Sequence, residues 1–333
     1  MKRSLFAALW WLTATAAAGP AWPQTAAHSD SLAQAPRDTT RAARDSTTLP
    51  FRLVPRAEIA TQGDARGQVV EPAGIACDPF GRIWVSDSQL HKVQRFERDG
   101  HWLGESGLLG SGEGELRRPG SIAPLGAADM GVLDQENRRV VDYDLFGRLQ
   151  GTRLDLQDPA LEAITGRVDP TALATDRGGA LSVADPARER VLMFDTGGRF
   201  ERALGEFGSK PGQFRGLQGL ASAPHGELVV TERLNARVQR IDAGGRAAAA
   251  WALAVDPKAN GALPVAVDAQ GRVAVADETG GRLWVFDAGG RPVAALATLG
   301  RPRALAFAPD GTLLVTETQP ARVRRFALVA TGP

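Results

Sequence analysis

Residues 81–96, GRIWVSDSQLHKVQRF, read as strand, acid, short turn and strand, and the chain carries six copies of that pattern. The later copies occupy 128–143, 179–194, 226–241, 271–286 and 311–326. Aligned on their acids, the copies share Asp87, Asp134, Asp185, Glu232, Asp277 and Glu317. Five residues on, a base follows each time: Lys92, Arg139, Arg190, Arg237, Arg282 and Arg322. The next residue is aliphatic in every copy. Eleven residues before each acid stands an alanine: Ala76, Ala123, Ala174, Ala221, Ala266 and Ala306. Agreement at fixed offsets marks a repeat architecture and settles the fold before any finer reading.

The acids recur 40 to 51 residues apart, and each unit reads as four short strands, a to d. Units of this length read as propeller blades, with strand a lining the axis. An alanine at one place in every strand a fits the crowding there. Glycines end the c–d turns (Gly100, Gly147, Gly198, Gly245, Gly290) and most a–b turns, where a tight hairpin asks for positive φ. The sixth unit stops after strand c, whereas residues 57–61 look like a strand d with no unit of their own. The expected fold is therefore all-β, a six-bladed β-propeller of four-stranded antiparallel blades over residues 51–330. Its N-terminal strand closes the last blade and so removes two sheet edges.

Ahead of the repeats, residues 1–21 read as a signal peptide, with Lys2 and Arg3 before an apolar run too short for a full span. Residues 22–50 are poor in large apolar side chains and read as a disordered leader. The expectation is an exported monomer, periplasmic or extracellular, with no membrane span once the signal is removed. A formal net charge of +1 argues against nucleic acid and acidic membranes as partners. The one cysteine, Cys77, lies in an apolar strand and reads as a small buried hydrophobe.

The motif VLDQENRRV (132–140), its near copy VTERLNARV (230–238), and the link LGEFGSKPGQFRGLQGLA (204–221) resemble the NHL repeat. So does LGESGLLGSGEGELRRPGSIA in the first unit. The resemblance spans residues 51–328. It implies a six-bladed propeller and leaves the chemistry open, since NHL-like and related propellers include binding modules, an amidating lyase and calcium-dependent lactonases.

The repeat acids read as structural, because a side chain present in every blade serves the blade. An acid opening a turn accepts backbone N–H groups, and the base five residues on is placed to pair with it. Asn137 and Asn235 read as turn residues tolerant of left-handed φ. A zinc enzyme of the lyase type needs several converging histidines. His91, His101 and His225 fall in b–c, c–d and a–b turns and cannot meet on one ion. Tyr143 shares the strand c aromatic position with Phe96, Phe194, Phe286 and Phe326 and reads as core.

The residues leading into the strands a are Glu71, Arg118, Asp169, Gln218, Arg301 and Arg303. They make a poor cation cage and a polar mouth suited to an anionic or zwitterionic ligand. Glu71, Arg118, Asp169, Gln218 and Arg303 are the ligand-binding candidates. An ion pair between Glu71 and Arg303 across the closure seam is the plainer alternative. No cofactor is expected; calcium is the one ion the resemblance would allow.

Two functions follow. The first is a scaffold for a protein, peptide or glycan on the b–c/d–a face, through Gln89, Leu90, His91, Arg118, Arg188, Leu234 and Arg303. The alternative is a channel-mouth hydrolase or lyase, with Glu71 or Asp169 as base and Arg118 or Arg303 holding an anion.

Overall fold

Six four-stranded antiparallel sheets make up the computed structural model, which describes residues 49–332. The expected signal peptide and all of the expected leader but Leu49 and Pro50 lie outside those residues. Blade 1 runs Pro72–Cys77, Ile83–Asp87, Lys92–Phe96 and Trp102–Ser106, ordered a to d from the axis outward. Blade 2 is Pro119–Pro124, Asp129–Asp134, Arg139–Asp144 and Leu149–Asp155; blade 3 is Ala172–Thr175, Leu181–Asp185, Arg190–Phe194 and Phe200–Leu204. Blade 4 is Leu217–Ser222, Leu228–Glu232, Arg237–Ile241 and Ala247–Ala252; blade 5 is Val265–Val267, Val273–Asp277, Arg282–Phe286 and Pro292–Leu296.

Blade 6 has its own strands a to c at Pro302–Phe307, Leu313–Thr318 and Ala321–Ala330. Its outer strand is Phe51–Gln62, antiparallel to Ala321–Ala330 from Phe51↔Ala330 to Ala60↔Val323. The closure expected from 57–61 is present and longer than the sequence suggested. A parallel strand of two residues, Gln68–Val69, pairs with its outer edge. Thr331 ties the end of the chain to its described beginning, donating to the carbonyls of Pro50 and Leu49.

The register explains the repeat. Each acid stands directly opposite its base across the b–c hairpin: Asp87↔Lys92, Asp134↔Arg139, Asp185↔Arg190, Glu232↔Arg237, Asp277↔Arg282 and Glu317↔Arg322. The aliphatic residue that follows the base is fully buried between blades, as are Phe96, Tyr143, Phe194, Phe286 and Phe326. Burying one such side chain contributes about 1.5–3 kcal/mol, so the spaces between blades are where the fold is stabilised. Burial pushes the Tyr143 hydroxyl up to about 12, consistent with a core residue.

Neighbouring blades are also tied near the axis. Ser86 donates to Gly120 O in the next strand a, and Thr231 to Leu263 O just ahead of the next strand a, both at 2.6 Å. The glycine-rich links pack by folding back on themselves. Leu116 and Phe214 plug the spaces between blades, held by parallel bridges Leu109↔Leu116 and Phe207↔Phe214. A Cβ on Gly205 would lie 2.2 Å from the Phe214 ring, and its φ is +85°, so the link needs glycine there. The link between blades 2 and 3 is different: it forms a short helix, Pro159–Thr165, capped by Asp158. No helix among the described residues is long and apolar enough to cross a membrane.

Candidate functional site

The repeat acids are all buried and act as clamps. Asp87 accepts from Val70 N at 2.7 Å and Leu90 N at 2.9 Å, joining the incoming link to the b–c turn. Asp134 accepts from Arg117 N at 2.7 Å and Arg139 Nε at 3.0 Å. Asp185 takes Asp169 N and Arg190 Nε, and Glu232 takes Arg215 N and Arg237 Nε. Glu317 takes Gly300 N and the guanidiniums of Arg322 and Arg324. Most of the accepting capacity of these carboxylates is thus engaged within the blades, by link and turn amides and by guanidiniums.

The expected acid–base pairing holds in blades 2, 3, 4 and 6 and fails in two. Lys92 reaches past Asp87 to Glu105 at 2.8 Å. Asp277 is paired with Arg233 of the preceding blade at 2.9 Å, and Arg282 forms no ion pair among the described residues. Asn137 and Asn235 do not take the left-handed turn position expected of them. The left-handed residues are their successors, Arg138 (φ 47°) and Ala236 (φ 46°). The asparagines instead bridge acid and link. Asn137 donates to Asp134 at 2.7 Å and Gly110 O at 2.8 Å; Asn235 donates to Glu232 at 2.6 Å and Gly208 O at 3.0 Å.

The six strands a enclose a central channel of about 430 Å³, lined by the six repeat alanines and by the inner edges of those strands. Gln218 and Arg303 reach it, together with Gln135, Thr171 and Ala262. Glu71, Arg118 and Asp169 do not line it; they stand farther out, half-exposed. Glu71 faces Arg118 at 3.8 Å, and Asp169 faces Arg167 at 3.1 Å. The pair expected between Glu71 and Arg303 is absent. Arg303 binds Glu278 at 3.0 Å, and Arg301 binds the other oxygen of Glu278 at 2.8 Å. Burial pushes Glu278 up, but the Ala262 amide and the two guanidiniums outweigh it and hold the carboxyl below its ordinary range.

In blades 2, 4 and 5 the residue after the repeat acid works at the mouth: Gln135 lines the channel, Arg233 crosses to Asp277, and Glu278 gathers two arginines. Sequence reading passed over this position. Its signal was variability next to a column that is always Asp or Glu: Ser88, Gln135, Pro186, Arg233, Glu278 and Thr318. One carboxylate shared by two guanidiniums leaves a positive surplus beside Gln218, which suits an anionic group. Among the described residues, no three His, Cys, Asp or Glu side chains converge as a metal cradle.

Of the loop residues, His91 accepts Arg118 N on Nδ1 at 3.1 Å, and Arg188 faces Asp185 at 3.9 Å. Leu234 and Gln89 are exposed. Leu108, Leu109, Ile164 and Phe207, all in d–a links, are more exposed still. At its far end the channel shares Cys77, Pro124, Val267 and Phe307 with a wider cavity of about 890 Å³ among the a–b turns. Burial raises the Cys77 thiol to about 12, so it stays protonated and unreactive.

No family model matches the chain. The protein brain tumor of Drosophila melanogaster is 25% identical over 148 residues, 43% of this chain and 13% of that protein, so the match spans a small part of the relative. Similar solved structures include virginiamycin B lyase from Staphylococcus aureus (TM-score 0.55, 14% identity, 85% of this chain and 89% of that one). A gluconolactonase from Xanthomonas campestris (0.57, 17%, 83% and 97%) and regucalcin, a calcium-binding protein from Agrobacterium tumefaciens (0.58, 15%, 85% and 96%), are also similar. At these identities the likeness is one of fold, that of the six-bladed β-propeller.

Proposed function

We propose that the chain is an exported propeller of the NHL type, working as a binding scaffold for a protein, peptide or glycan on its b–c/d–a face. One observation carries this reading. Leu108, Leu109, Ile164, Phe207 and Leu234 are five of the seven large apolar side chains left exposed among the described residues, and all five lie in the b–c turns or d–a links of that face, Ile164 on the short link helix. Apolar side chains gathered on one face of a folded domain mark an interaction surface. Covering each would contribute about 1.5–3 kcal/mol to association. The test combines Leu108→Ser, Leu109→Ser and Phe207→Ser. Cross-linking and glycan-array binding should be lost from the triple variant while its melting temperature holds. Equal capture by wild type and variant would turn this reading down.

A second reading is a channel-mouth hydrolase or lyase. It is favoured by the positive surplus at Arg301, Arg303 and Glu278 beside Gln218 and Gln135, and by lyases and a lactonase among proteins of the same fold. Calorimetric titration with calcium and zinc separates the two. Saturable heat with a thermal shift supports metal-dependent catalysis, and a flat titration removes that version of it.

A further inference from the structure

The other two exposed aromatics, Phe80 and Phe146, lie on the opposite face, at 61% and 66% exposure. The repeat supplies its own control. Where Phe146 stands in the c–d turn of blade 2, the equivalent turns carry Asp99, Gly197, Gly244 and Gly289. Where Phe80 stands in the a–b turn of blade 1, they carry Gly178, His225, Gln270 and Asp310. What every one of these turns keeps is the glycine that follows. Neither phenyl ring is needed by its blade, and neither is hidden by it.

The two turns come from neighbouring blades and meet over a single guanidinium. Arg82 Cζ lies 5.5 Å from the Phe80 ring centroid and 5.9 Å from that of Phe146. Arg148 covers Phe146 at 5.4 Å. Arg98 donates from Nε to Phe80 O. Arg95 lies over Trp84 and against Gly147, with its buried Nε lacking a hydrogen-bond partner. Asp78 matches Arg82 and Asp144 matches Arg148, each at 2.6 Å. Arg95 and Arg98 have no ion-pair partner among the described residues. The seam thus holds four guanidiniums, two paired carboxylates and two exposed rings, with the Asp310 carboxylate within electrostatic reach of Arg98 but not ion-paired to it.

We propose that this seam between blades 1 and 2 docks a polypeptide segment that presents a bulky apolar side chain flanked by Asp or Glu. The rings offer an apolar contact, and the unmatched guanidiniums offer donors to carboxylates. A membrane surface fits less well. Both rings are engaged by arginine rather than standing free to insert, and two phenyl groups bury little area in a bilayer.

The probes are acetyl-Glu-Phe-Glu-Phe-Glu-amide, its Lys-for-Glu analogue, and phosphatidylglycerol vesicles. The variant, in the full chain, joins Phe80→Gln and Phe146→Gly, which restore residues found at the same positions in other blades. The acidic peptide should bind the wild type, weaken with salt, and lose at least about tenfold in affinity in the variant, a change of about 1.4 kcal/mol. The melting temperature of the variant should be unchanged. Equal binding of the Lys peptide, undiminished binding by the variant, or no acidic-peptide binding at roughly millimolar concentration overturns the proposal. Vesicle binding that depends on the two phenylalanines, without peptide binding, overturns it in favour of a lipid surface. The b–c/d–a triple variant should bind the acidic peptide as the wild type does, which keeps the two surfaces distinguishable.

Discussion

Blade 4 and blade 5 meet one requirement with different donors. In blade 4, Glu232 is satisfied almost wholly from within: Asn235, Arg237 and Gln239 of its own hairpin, plus the amide of Arg215 in the incoming link. In blade 5, Asp277 has Thr279 nearby but takes its cation from Arg233, one blade back. Arg233 also donates to the carbonyls of Gly261, Asp256 and Ala262, so it holds down the link that blade 4 sends to blade 5. Blade 5 lacks the asparagine: position 280 is glycine, and the base Arg282 is left without an acid. The lesson is that the buried acid is the fixed demand, and the donor is whichever side chain the local link leaves in reach. A buried carboxylate without donors is not tolerated.

The contrast can be broken most forcefully at its acid. Glu232→Ala strands Arg237 and the link amide and should cost about 3–5 kcal/mol in a urea unfolding curve; a loss below about 1 kcal/mol would mean the clamp is ornamental. The cations come next. Arg233→Ala should destabilise by about 3 kcal/mol or more, since it leaves Asp277 buried and unpaired, whereas Arg282→Ala should stay within about 0.5 kcal/mol. Equal losses would show that the cross-blade pair is not what holds blade 5. A smaller effect is due at the bridge: Asn235→Ala removes two hydrogen bonds and should cost about 1–2 kcal/mol, read from the same curves.

The mildest test is by pH, at Glu278. Its carboxyl is held below the ordinary value in the folded chain, so it adds stability above the unfolded pKa near 4.5. That contribution is lost as pH falls through the lower folded value. Glu278→Gln should therefore lower the melting temperature at neutral pH and converge on the wild type in acid. A gap that persists undiminished at the lowest pH would exclude linkage through this carboxyl.

Much of this architecture could be read from the residues in order. The six acids, the alanines at strand a and the unpartnered stretch 57–61 led to six blades and their closure, because those positions answer to constraints every blade shares. The channel mouth was harder. Glu71, Arg118 and Asp169 have the right residue types and approach the right strands, yet they stand outside the channel. Glu278, Gln135 and Arg233 sit beside the repeat acids and were overlooked, since nothing in a single blade shows that the following side chain crosses to the next one. Phe80 and Phe146 were equally silent, since only the folded chain brings their turns over one arginine.

What the linear order of residues determined here is whatever repeats: strand, acid, turn and base recur because each blade must bury the same faces and satisfy the same backbone groups. What only the folded wheel decided is whatever crosses a seam, such as Arg303 choosing Glu278 over Glu71, Arg233 serving Asp277, and Arg82 lying between two rings. Those partners are set by distances between blades, and ion pairs and stacking contacts fall away within a few ångströms.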